Sequence, residues 1–164
     1  MFERGRYTLP KVVVFHAGKE EYALPIENVV SIEKVEKVRS IPHFPQFVLG
    51  LVKVRGELIP VLDLGNILYN TSAMAEAGMF LLVIQTKTMQ IGMVVKEAKE
   101  IIEVSAESIT NVGLFAYSKT NYFSGIINLE DALITQIDPD VLVESLEGIK
   151  EIKDYVNEQK AYQN

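Results

Sequence analysis

Arg55 is the side chain whose type and setting best suit it to chemistry, and the chemistry it offers is recognition. It stands beside Gly56 where Gly50-Leu51-Val52-Lys53-Val54 folds back into Glu57-Leu58-Ile59-Pro60-Val61-Leu62-Asp63-Leu64. Gly56 accepts a positive φ at no steric cost, so the tight turn belongs there. A guanidinium held at that tip is a charge-assisted hydrogen-bond donor. On spacing alone a merely solvated arginine in an ordinary turn is the readier reading. The remaining polar residues give no catalytic constellation. His16 closes a strand and His43 lies between Ile41-Pro42 and Phe44-Pro45, with no His/Glu spacing typical of metal ligands. Ser124-Gly125 lacks the Gly-x-Ser-x-Gly surround of a nucleophile elbow, and no phosphate-cradling glycine loop occurs. The acids Glu20-Glu21, Glu130-Asp131 and Asp138/Asp140 fall in turns or at a helix start. No cysteine is present, which removes thiolate metal sites, disulfides and a Cys nucleophile. The expectation is a protein with no catalytic residue, metal or cofactor, in which binding is the function.

The elements that must position Arg55 are mostly strands. Lys11–His16 and Glu21–Ile26 read as a hairpin turning at Ala17-Gly18-Lys19-Glu20, and Asn28-Val29-Val30 as a single helical turn. Ser31–Val38 reads as a strand with a solvated charged face, and Ile41-Pro42-His43-Phe44-Pro45 as a stiff loop. In the Arg55 hairpin, Val52, Val54, Leu58 and Val61 can face a core. Pro60 has no N–H, so its strand is expected at an edge or with a bulge there. Asn66–Tyr69 follows as a short helix, and Asn70–Gly78 as a polar loop or joint between halves. A second hairpin joins Met79–Gln85 to Met89–Val95, Lys96–Val104 is a further charged strand, and Tyr122–Leu129 with Ala132–Ile137 makes a third hairpin. Asp138 can cap and Pro139 suits the first helical position. Leu142, Leu146, Ile149, Ile152 and Val156 then recur at helical spacing, an amphipathic helix over 139–160, bent at Gly148 and packed on the sheet.

Bulk properties narrow the partners. The 164 residues fit one domain, or two small halves sharing a core; 48% are hydrophobic and 23% charged, a globular composition. The net charge is −6 and the 16 basic residues are scattered, mostly beside acids, with no basic stripe to neutralise phosphates. Nucleic acid and anionic membrane are therefore disfavoured, although a small oligonucleotide-binding barrel and an undetected hydrolase remain as competing classes. Residues 1–9 read as a flexible lead-in without the apolar core of a signal peptide, and the longest apolar run, Met79–Ile84, cannot span a bilayer. A cytoplasmic protein without direct membrane insertion is expected.

The two halves echo each other. Ile26 to Ile32 and Val95 to Ile101 are the same step of 6; Gly50 to Asp63 and Gly125 to Asp138 are the same step of 13. Within those windows Leu51-Val52 lies over Ile126-Ile127, Leu58-Ile59 over Leu133-Ile134, and Leu62-Asp63 over Ile137-Asp138. A duplicated unit of four or five short strands can curl into a small barrel, and two barrels would leave a groove at their join.

One family resemblance covers roughly residues 10–140. Val13-Val14-Phe15, Glu21-Tyr22-Ala23-Leu24-Pro25-Ile26, Val29, Ile32, Ile41-Pro42, Pro45-x-Phe47-Val48-x-Gly50, Val54-Arg55-Gly56 and Ile59-Pro60-Val61-x-Asp63-Leu64 resemble CheW, the chemotaxis coupling protein family. The match is looser after residue 79, where Ile91-Gly92-Met93-Val94-Val95 and Gly125 still fit. The resemblance implies a mostly β fold of two five-stranded SH3-like barrels sharing a core, intertwined over 10–140 with a joint near 70–78. It also implies a non-catalytic adaptor with two partners, the chemoreceptor's cytoplasmic coiled-coil tip in the inter-barrel groove and the CheW-like regulatory domain of the histidine kinase CheA at apolar barrel ends. Recruitment to membrane receptor arrays follows. The implied partner-binding residues are Arg55, Val29, Gly50, Gly56 and Ile32. The chain departs from the family pattern at Lys53, within the Arg-Gly turn, and at Gly65, after the Asp-Leu pair. An adaptor of another motility or signalling pathway is the alternative.

Overall fold

The computed structural model describes residues 9–35, 37–70, 79–110 and 121–163. The strands are β1 (Lys11–Ala17), β2 (Glu20–Pro25), β3 (Val29–Lys34), β4 (Val48–Val54), β5 (Glu57–Asp63), β6 (Met79–Gln85), β7 (Gln90–Glu103), β8 (Ile109–Thr110), β9 (Phe123–Leu129) and β10 (Ala132–Ile137). The helices are α1 (Leu64–Tyr69), α2 (Pro139–Ser145) and α3 (Ile149–Gln163), with 3-10 turns at Ile26–Asn28 and Ala106–Ser108. The expected lead-in and the 70–78 joint fall almost wholly outside the described residues.

Several local expectations are corrected. Val29 opens β3 rather than sitting in a helical turn; the turn lies just upstream, at Ile26–Asn28. β3 ends at Lys34, and Val35 and Val38 turn inward against a small core. Lys96–Val104 is not a separate strand, because β7 runs unbroken to Glu103 by absorbing a left-handed residue at Glu97 (φ 49°). The tail is two helices, parted at Gly148 (φ 87°), rather than one bent helix. Pro60 lies in a strand paired on both sides, β4 on one and β7 on the other. Its missing N–H is tolerated because the parallel ladder to β7 begins one residue later, at Val61 opposite Gly92. The hairpin's bulge falls instead between Val48 and Gly50.

Pairing register bears out the duplication and shows how the halves are joined. Gly50 pairs with Val61 and Gly125 with Gln136, the same register in hairpins β4–β5 and β9–β10. Each hairpin then adds in parallel to a strand of the other half: Val61 opposite Gly92 of β7, and Gln136 opposite Ala23 of β2. The third strand of each unit crosses over too, with Ile32 opposite Leu82 and Ile101 opposite Val13. One barrel is therefore β4-β5-β7-β6-β3, and the other is β8-β9-β10-β2-β1 closed by the far end of β7.

Three apolar clusters follow. Val52, Ile59, Val61, Leu81, Val83 and Val94 fill the first barrel; Val12, Val14, Ala23, Val104, Ile127 and Ile134 fill the second. Four positions of one set are repeat-equivalents of the other: Val52 and Ile127, Ile59 and Ile134, Leu81 and Val12, Val83 and Val14. Between the barrels lies a larger common core with Phe15, Leu24, Leu62, Leu82, Ile84 and Met93 at its centre, sealed by Leu142 and Val143 of α2 and Ile152 and Val156 of α3. Of the hairpin positions expected inside, Val52 and Val61 face the first barrel, with Val54 packed against its edge, whereas Leu58 points the other way, toward the common core.

Candidate partner-binding site

Arg55 and Gly56 form a two-residue hairpin turn, with Val54 pairing Glu57 directly behind them. Both take positive φ, 51° and 83°, the signature of a type I′ turn. Asn-Gly and Asp-Gly suit that turn; an arginine at its first central position carries a steric penalty. The side chain reaches back over β3, where Nη2 lies 3.3 Å from Glu33 Oε2. Arg55 is 69% exposed and Glu33 32% exposed, so the pair is worth no more than about 1 kcal/mol in stability. Its effect is orientation: one edge of the guanidinium is tethered, and the other N–H groups face solvent.

The two glycines serve different needs. Gly56 has open space where a Cβ would stand, so its φ alone requires glycine. At Gly50 (φ 147°) a Cβ would lie 2.0 Å from the Arg39 carbonyl oxygen. Arg39 approaches that closely because it exchanges two backbone hydrogen bonds with Leu51, each 2.8 Å. Gly50 thus closes the β3–β4 connection onto β4 from within the strand.

The remaining expected residues lie along β3, whose burial alternates residue by residue. Val29, Ser31 and Glu33 form the half-buried set, and Val29 packs against the common core opposite Ile84. Val30, Ile32 and Lys34 form the exposed set. A bulge between Val29 and Ser31 reverses the alternation: Val29 lies opposite Ile84 on the common-core side, whereas Ser31 and Arg55's partner Glu33 lie opposite Val83 and Leu81 on the side of the first barrel's core. Ile32, opposite Leu82, is on Val29's side of the sheet and 41% exposed there.

Glu33 was missed because Glu33-Lys34 reads in sequence as part of a solvated charged strand. A second feature was missed for a similar reason. Lys34, Lys37, Arg39 and Lys53 come from separate stretches, yet they line one continuous groove made of two cavities, about 320 and 410 Å3, that share Lys37, Val52 and Lys53. The basic residues are thus not evenly scattered over this chain.

The other polar candidates are accounted for structurally. His16 is half-buried between Glu97, 3.4 Å from Nδ1, and Glu21, 3.8 Å from Nε2. His43 sits exposed in the proline loop. Asp63 and Asp138 each cap a helix, with Oδ1 accepting from Asn66 N (3.2 Å) and from Asp140 N and Val141 N (3.0 and 3.2 Å). Thr86 Oγ1 donates to the Met89 carbonyl (2.6 Å) and holds the β6–β7 turn. Ser124 Oγ donates to the Gln136 carbonyl across its own hairpin. The Tyr22 hydroxyl is hydrogen-bonded to that of Tyr69, and burial, then that hydrogen bond, push Tyr22's pKa well above the ordinary phenol value. Burial also raises the pKa of Tyr122. Among the described residues no group of three or more His, Asp or Glu side chains could hold a metal ion, and no helix is long and apolar enough to cross a membrane.

Comparison with known proteins converges on one family. The model of the CheW-like domain matches residues 11–147. The chemotaxis protein CheW of Klebsiella aerogenes is 26% identical over 136 residues, covering 82% of each chain. That of Bacillus subtilis is 26% identical over 135 residues, covering 82% of this chain and 86% of the relative. Among solved structures, the scaffolding protein TtCheW from Thermoanaerobacter tengcongensis superposes with a TM-score of 0.73 at 24% identity, over 87% of this chain and 93% of that one. The likeness supports the fold of two SH3-like barrels.

Proposed function

This chain belongs to the CheW-like domain family, and we propose that it is a non-catalytic adaptor coupling chemoreceptors to the histidine kinase CheA. In this reading the receptor's cytoplasmic coiled-coil tip lies across β3, meeting Val29 on the common-core side and Arg55 at the hairpin tip, the CheW-like domain of the kinase meets the apolar barrel ends, and the protein works in the cytoplasm at receptor arrays. Arg55 carries the reading. An exposed arginine is held in a left-handed conformation, at the tip of a hairpin, with only a weak surface pair to hold it there. Backbone strain kept without a stabilising return is characteristic of residues retained for recognition. Val29 supplies the complementary half: an apolar side chain at the join of the barrels, half-buried and so able to gain from further desolvation.

The test is a pull-down of the cognate CheA by this protein, with and without a receptor signalling fragment, for wild type, Arg55→Ala and Val29→Asp. Wild type is expected to bridge the two, and both variants to keep kinase while losing receptor. Burying an unpaired carboxylate makes Val29→Asp the more damaging change. Wild type that captures neither partner overturns the adaptor reading. Variants that bridge as well as wild type overturn the assignment of these residues.

A further inference from the structure

The duplication makes each barrel a control for the other, and the outer edges of their fourth strands differ. In the second barrel the outer edge of β9 is covered by β8, with Ile109 opposite Ile127 and Thr110 opposite Ile126. The equivalent residues of β4 are Val52 and Leu51. Leu51 is met by Arg39 alone, through one isolated bridge, and among the described residues no strand continues alongside Val52 and Lys53. Outward-facing main-chain groups alternate along a strand, so those of Lys53 follow those of Leu51 into this gap.

The gap is the groove described above. Its floor is apolar, Val52 and Leu81, and its rim carries the Arg55–Glu33 pair together with Lys34, Lys37, Arg39 and Lys53, four exposed cations without an ion-pair partner among the described residues. In a chain of net charge −6, four cations unpaired among the described residues, set around one apolar groove, form a local reversal of sign.

We propose that this groove is a docking site for an extended, acidic segment of another protein, which pairs with the open edge of β4 at Lys53, beyond the Arg39 bridge. Carboxylates of the segment would meet the four cations, and its alternate aliphatic side chains would rest on Val52 and Leu81. Charge complementarity selects the sign of the occupant and the open strand edge its conformation. The combined cavity is of ordinary ligand-pocket size, in the range of roughly 300–1,000 Å3. Nucleic acid fits less well, because Tyr155, the aromatic residue in the groove's lining, is already packed edge-on against Phe44, and the surrounding protein is acidic. The groove borders on Arg55 and Glu33 and so adjoins the proposed receptor contact, but the inference is argued from the geometry of the first barrel and does not require that assignment.

The probe is a short fluorescein-labelled peptide alternating glutamate with valine, titrated with the full chain by fluorescence anisotropy. Controls are the matching lysine–valine peptide and a labelled oligothymidylate. Saturable, salt-sensitive binding of the acidic peptide is expected, with no binding of the basic one. Lys37→Glu and Lys53→Glu should each weaken it roughly tenfold, as inversion of a close charge pair does at an interface. Both positions are exposed, so urea midpoints should match wild type and exclude a folding defect. Equal binding of the two peptides, indifference to both substitutions, or tighter binding of the oligothymidylate overturns the proposal.

Discussion

An asparagine would hold the backbone of Arg55 at lower cost than arginine does. The turn needs φ > 0 at two successive positions, and asparagine tolerates that region because its short side chain hydrogen-bonds locally. Arg55→Asn also removes the ion pair with Glu33, but that exposed pair is worth at most about 1 kcal/mol. The two effects oppose, so the stability of Arg55→Asn should equal that of wild type or exceed it by up to about 1 kcal/mol, read from urea denaturation. Receptor capture should nevertheless fall as it does in Arg55→Ala. A stabilised variant that has lost its partner identifies a residue kept for function; a destabilised one that still binds identifies a structural role. The sequence made Arg55 and Gly56 legible because a glycine after a β-branched strand leaves few conformations open. It did not reveal Glu33, whose pairing depends on β3 lying beside the hairpin tip.

At the scale of the element, the two halves cap their helices in the same way and use the helices differently. The Asp63 backbone N–H donates to the Phe47 carbonyl and that of Asp138 to the Tyr122 carbonyl, at 2.8 and 2.7 Å, and each aspartate then opens a helix. Behind Asp63 stands, among the described residues, the short α1. Behind Asp138 stand α2 and α3, which bury Leu142, Val143, Ile152 and Val156 in the common core, while Lys160 reaches Glu57 of β5 at 3.2 Å. Loss of the Asp138 cap frees two N–H groups at the start of that lid, so Asp138→Ala should cost about 0.5–2 kcal/mol in a urea titration. Asp138→Asn, which keeps an acceptor oxygen, should recover most of it. Equal loss in both variants would mean that the charge matters rather than the cap. The capping signal was legible, because aspartate before proline and an apolar run is a local pattern. The break at Gly148 and the continuity of β7 through Glu97 were not, since each depends on what the chain packs against.

For the molecule as a whole, the decisive feature is exchange between the halves. The repeat was legible because paired apolar residues keep their spacing, and Gly50/Asp63 with Gly125/Asp138 proved to be equivalent in register. Which strand pairs with which was not legible, because a strand's alternation specifies its faces and not its neighbours. The same holds for the basic groove, whose four cations meet only after β3 and β4 are placed. Exchange has a measurable consequence. A fragment ending at residue 70 would hold β3 without β6, β5 without β7 and β2 without β10; the complementary fragment would lack the reciprocal partners. Neither could complete a barrel, and the common core would lose contributors from both. Each fragment alone should therefore give collapsed amide dispersion by NMR and no cooperative urea transition. An equimolar mixture should recover a dispersed spectrum and a single transition, because every missing strand is present in the other fragment. If the barrels were instead independent units joined in series, one fragment would fold alone and mixing would change nothing.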